Sequence, residues 1–184
     1  MNLINQTDNP ARILGWLPPT RRTLMFGGTG RFLALPYQVV YIDKMSTFSH
    51  IRMLFTQTEP TPDTKVFGLP LPCHYDAGIV CGAYVIGTDE PVKSLKKAAQ
   101  NLFESDWGTF DACYPWSQRY SYKNEFVDQM ELKIKSKRQI KTTMDTIELW
   151  EEVSRKDPNF ILTIPLLPPF CVKTVKDLFT TTFS

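Results

Sequence analysis

The sequence predicts an α+β fold: an antiparallel β-meander, then a cysteine-bearing loop, then packed helices. Three observations carry this. Apolar and β-branched runs separated by glycine, proline and polar turns fill the first 70 residues. A polar turn with a glycine, Leu71-Pro72-Cys73-His74-Tyr75-Asp76-Ala77-Gly78-Ile79-Val80-Cys81-Gly82, follows. From residue 91 the apolar period changes to three and four.

Residues 1–15 are polar, Asn-rich and weakly periodic, and are expected to form an irregular arm. Trp16-Leu17-Pro18-Pro19 then imposes extended backbone, because successive prolines exclude helix. A single domain is expected over 16–184, with a divergent helical extension from about residue 118. Arg22 to Phe26 and Arg31 to Ile42 read as strands around Gly27-Gly28-Thr29-Gly30, a hairpin turn. The turn lacks the Gly-Lys-Ser/Thr ending of a phosphate cradle. Val39 to Ile42, Ile51 to Phe55 and Arg22 to Phe26 together suggest the meander. Glu59 to Asp63 breaks the pattern, and Lys65-Val66-Phe67 returns as a short strand.

Beyond the loop, Thr88-Asp89-Glu90-Pro91 starts a helix whose apolar stripe is Val92, Leu95, Ala99, Leu102 and Phe103. Trp107 to Trp116 is aromatic and irregular, a candidate flap containing Cys113. Asn124 to Lys141 is compatible with helix or long strand. Thr142 to Arg155 is a helix with Ile147, Trp150 and Val153 on one face, closed by Asp157-Pro158. Phe160 to Pro169 should pack on the core, and Val172 to Phe179 has weak helical character.

The 184 residues carry 21 basic and 19 acidic side chains, a net charge of +2, which argues against a nucleic-acid or membrane-surface partner. The run Lys133 to Lys141 reads as a solvated basic face, with a docking or phosphate-contacting patch as the alternative. Met1 to Pro10 is too polar for a signal peptide and no apolar run is long enough to span a bilayer, so a cytoplasmic, reducing location is expected. In that compartment Cys73, Cys81, Cys113 and Cys171 are core residues or reactive thiols rather than disulfides.

Asp76-Ala77-Gly78 supplies a reversal, and Ile79-Val80 reads as a very short strand delivering Cys81 to its end, with Gly82 allowing close approach. A cysteine held this way is a candidate nucleophile. The segment resembles the active site of ubiquitin-conjugating enzymes, where His-Pro-Asn precedes a glycine and then the catalytic cysteine. Pro72, Gly78 and Cys81 stand in that register, with Val80 in the aliphatic place. The run from Trp16 through Gly82 more closely resembles a prokaryotic branch of the superfamily, the protein B of PRTRC cassettes, and the resemblance covers about residues 16–110. The matching segments are Trp16-Leu17-Pro18-Pro19 with Arg21 to Phe26, Ala34-Leu35-Pro36-Tyr37, Ile51 to Phe55, and Val80-Cys81.

This resemblance implies a conjugating-enzyme-like domain in which Cys81 carries a ubiquitin-like protein as a thioester and passes it to an acceptor. It implies an activating enzyme of the ThiF-like type and a deconjugating metalloprotease as partners, and no cofactor. Pro72, Cys73, His74, Asp76, Gly78 and Gly82 would form the supporting loop. Cys73 stands where the family has its asparagine, which puts transfer to an amine in question and leaves a second reading, an inactive scaffold that binds the modifier or a partner enzyme. Two rival chemistries draw on the same residues. A Cys81–His74 hydrolase lacks an orienting carboxylate beyond Asp76, and a zinc site at Cys73, His74, Cys81 and Cys113 lacks Cys-x-x-Cys pairs. No metal is expected.

Overall fold

The computed structural model describes residues 2–8, 11–45, 48–69, 71, 79–85, 91–107, 124–166 and 172–180. Its strands are β1 (Asn2–Asp8), β2 (Ala11–Leu17), β3 (Thr20–Phe26), β4 (Thr29–Leu35), β5 (Tyr37–Met45), β6 (Phe48–Thr56) and β7 (Ile79–Val85). The helices are α1 (Pro91–Glu104), α2 (Glu125–Ile134), α3 (Thr143–Lys156) and a short α4 (Asp177–Thr180), with a 3₁₀ turn at Phe160–Leu162. The architecture is α+β, with antiparallel sheets followed in the chain by helices.

The main sheet has the order β1-β2-β5-β6-β7, every pairing antiparallel, and β3-β4 forms a separate hairpin. The described residues of 1–15 therefore do not form an irregular arm. They supply β1 and most of β2, and β2 takes the free edge of β5 with Leu14 opposite Tyr41 and Trp16 opposite Val39. That pairing also excludes β3 from the meander, which is β5-β6-β7. The expected long strand Arg31 to Ile42 is two strands divided at Pro36, a residue with no N–H to give a ladder.

Alternation along β5 and β6 assigns the two faces. Val40, Ile42, Ile51, Met53 and Phe55 face a core shared with the hairpin and α1, α2 and α3. Val39, Tyr41 and Leu54 face the other way, where Leu14, Val66, Val172, Val175 and Leu178 cover them. Both faces are buried, which accounts for the unbroken apolar run over Val39 to Ile42. The C-terminal segment is thus the lid of a second core. It is tied down by Val66 N–H to Lys173 O at 3.0 Å and Val175 N–H to Thr64 O at 3.0 Å.

The hairpin turn is made by Gly27 and Gly28, with φ of 55° and 78°, values that favour glycine at both positions. Their N–H groups donate to the two oxygens of Asp106 at 2.7 and 2.8 Å, and Trp107 N–H donates to Met25 O at 2.8 Å. The carboxylate just beyond α1 so holds the turn in place.

On its other side β4 meets α3. Ala34 N–H donates to Ser154 Oγ at 2.9 Å, Ala34 O accepts from Trp150 Nε1 at 3.0 Å, and Phe32 N–H donates to Glu151 at 3.1 Å. These three side chains take the place of a neighbouring strand and protect an edge that would otherwise be open to pairing. Thr142 and Asp145 form a capping box at the start of α3, and Asn124 caps α2 through Val127 N–H. The segment left open between helix and strand is helical over Glu125–Ile134, and Lys135 ends it in the left-handed region at φ 54°. The basic run beyond is exposed, with Lys133 paired to Asp157 and Arg138 to Glu152.

Ser154 accepts the only hydrogen bond described for the buried Ala34 N–H, so Ser154→Ala is expected to destabilise the protein by about 2 kcal/mol in urea unfolding. An unchanged unfolding midpoint would contradict the edge assignment.

Glu151 makes the same clamp pH-dependent. Burial raises its pKa, but bonds from Phe32 N–H, Arg155 and Arg31 together outweigh burial and hold the carboxyl below its ordinary value. A depressed folded pKa gives stability that is present above the unfolded value and is lost as pH falls through the folded one. Acid unfolding below about pH 4.3 should therefore be shallower in Glu151→Gln than in the wild type, and superimposable acid limbs would contradict this.

Candidate functional site

The segment singled out by the sequence hangs from one edge of β6. Phe67 makes an antiparallel bridge with Phe55, through Phe55 N–H to Phe67 O at 2.9 Å and Phe67 N–H to Phe55 O at 2.8 Å. Three residues along the same strand, Arg52 pairs with Ile79 of β7. The chain that leaves the sheet at Phe67 and returns at Ile79 therefore has both ends fixed on β6, about 10 Å apart. Leu71, between them, is fully buried in the main core. The approach is held from its other side as well, where Lys65 bridges Thr174 and Lys176 pairs with Asp63 at 2.6 Å.

Of the expected site residues, Cys81 and Gly82 lie in β7, of which the backbone is described. Pro72, Cys73, His74, Asp76 and Gly78 lie outside the described residues, as does Cys113 with the flap proposed around it beyond Trp107. Cys81 was expected at the end of a very short strand. It is instead the third residue of Ile79–Val85, because Tyr84 and Val85 extend the pairing to His50 and Ser49.

The extension is not regular. His50 pairs with Tyr84 and Arg52 with Ile79, so the register slips across Val80, Cys81, Gly82 and Ala83 opposite Ile51. Such interruptions re-aim side chains and bend a strand, and they are frequent beside active sites. Among the described strands β7 is the outer member of the sheet, and α1 packs across it and reaches β5, β2 and β3. Leu95, Ala98, Ala99, Leu102 and Phe103 form the buried stripe of α1, which agrees with the helix read from the sequence.

A second concavity was not evident in the sequence. Arg22 of β3 stacks on the ring of Phe103 of α1, its guanidinium carbon 3.6 Å from the ring centroid. Around this pair lies a cleft of about 500 Å³ lined by Leu17, Thr23, Lys96, Ala99, Gln100 and Glu104 as well. Burial holds the Arg22 pKa below its ordinary value. The two residues are far apart in sequence, and no local pattern signals their contact.

Among the described residues no group of three or more histidine, cysteine, aspartate or glutamate side chains is placed to hold a metal. No described helix is long and apolar enough to cross a membrane. No family model matches the chain, and no curated protein or solved structure matches it.

Proposed function

We propose that the chain is a conjugating-enzyme-like carrier in which Cys81 accepts the C-terminal acyl group of a ubiquitin-like protein. The observation that carries the reading is the register of Pro72, Gly78 and Cys81 in a segment whose stems are both anchored on β6. An antiparallel β5-β6-β7 meander before the cysteine and an amphipathic α1 after it are compatible with the same reading. The register slip around Cys81 supports it further, since such irregularities re-aim side chains and are frequent next to active sites.

The step is a thiol exchange. The Cys81 thiolate attacks the thioester carbonyl carbon of the modifier held by a ThiF-like activating enzyme. A new carbon–sulfur bond forms, the old one breaks, and the departing thiolate takes up the proton released when the Cys81 thiol ionises. The product keeps the acyl group activated for a later acceptor, which a serine ester would do less well. Backbone N–H groups near Cys81 are the expected oxyanion donors, because Cys73 is a poor substitute for an asparagine.

The replacement at Cys73 favours a second reading, in which the same fold binds the modifier or its enzymes without carrying it. Mass spectrometry of the protein incubated with an activating enzyme, ATP and a ubiquitin-like protein separates the two. A carrier gives an adduct that is released by excess thiol, is absent in Cys81→Ala and persists in Cys73→Ala. Retained binding with no adduct, using an activating enzyme shown to be loaded, would establish the scaffold instead.

A further inference from the structure

Arg31, Arg138 and Arg155 each meet a carboxylate. Arg22 does not. Among the described residues its contact is the face of Phe103, and its Nε is buried with no hydrogen-bond acceptor. Arg22 also lines the cleft, so an oxyanion lying there in the plane of its guanidinium would gain charge-assisted hydrogen bonds of the kind that Arg31 already makes to Glu148 and Glu151. Stacking on Phe103 fixes that plane in advance, which reduces the ordering needed on binding.

The rest of the cleft completes a recognisable set of partners. Lys96, Gln100, Phe103 and Glu104 recur at four- and three-residue steps and share one face of α1. Lys96 is exposed and adds a second positive charge. Glu104 accepts from Gln100 Nε2 at 2.8 Å and is engaged along its own helix. Arg22, Lys96 and Glu104 leave one net positive charge, which suits a single carboxylate. Half-buried Leu17, backed by the buried Ala99, offers apolar surface for one side chain. The Gln100 side-chain oxygen and the Thr23 hydroxyl are acceptors of the kind a peptide N–H requires.

We propose that the cleft between β3 and α1 binds the C-terminus of a peptide, with the terminal carboxylate on Arg22 and Lys96 and an apolar last side chain against Leu17. This site is independent of Cys81 and of the carrier reading.

The test titrates the full chain, followed by ¹H–¹⁵N NMR, with acetylated alanyl-leucine, its C-terminal amide, and hexanoate at millimolar concentrations. The free acid should give saturable shifts at Lys96, Gln100 and Phe103. Amidation or Arg22→Gln should weaken binding about tenfold, Lys96→Gln about threefold, and Arg21→Gln should leave it unchanged. Equal affinity of acid and amide, no binding of the acid, or full affinity in folded Arg22→Gln would overturn the proposal. Hexanoate binding as tightly as the dipeptide would overturn the assignment to a peptide. If Arg22→Gln does not fold, unchanged affinity in the exposed Lys96→Gln overturns the proposal and a weakened one supports it.

Discussion

Burial of β5 and β6 on both faces is the constraint on which the rest of this structure depends. Val40 and Ile42 cannot exchange places with Val39 and Tyr41, because a slip of one residue would send each set into a core shaped for the other. That fixes where Phe55 and Arg52 lie along β6, and with them the two points at which the candidate segment leaves and rejoins the sheet. The second core is closed by Val172, Val175 and Leu178, so the last described part of the chain supports the approach to the candidate site by clasping residues 62–66 from outside.

The hairpin is attached by a different physical device. Its turn is held by one carboxylate and its outer edge by the side chains of one helix, at contacts that each satisfy backbone groups. Trp150, Glu151 and Ser154 lie within a little over one helical turn, and α3 presents them together because its first turn is capped by Thr142 and Asp145. The same packing brings β3 towards α1, and the contact of Arg22 with Phe103 and the cleft around them follow from it.

Much of this was legible in the sequence where one local principle dominates. Gly27-Gly28 announces its turn, Pro91 the start of α1, and Thr142 the start of α3. The apolar stripes of α1 and α3 gave the buried residues Leu95, Leu102, Ile147, Trp150 and Val153. Sheet membership was harder to read, because it depends on which edges compete for a partner. β3 has the residues of a meander strand, but β2 occupies the edge it would have used. β1 and β2 read as an irregular arm because backbone pairing, more than apolar periodicity, recruits them, β1 as an edge strand and β2 between it and β5. Cys81 reads as a strand end because the apolar run before it is only Ile79-Val80, whereas Tyr84 and Val85 resume the ladder beyond a slip in register.

The functional reading therefore depends on whether the stem at Phe67 is held to β6 as firmly as the sheet itself. Native-state hydrogen exchange at the Phe55 and Phe67 amides measures this directly. The account predicts that both exchange only through opening as costly as that which exposes the paired amides of β5 and β6. A Phe67 amide that exchanges at the rate of an unprotected loop would contradict it, because the segment carrying Pro72, Gly78 and Cys81 would then have no fixed point of departure.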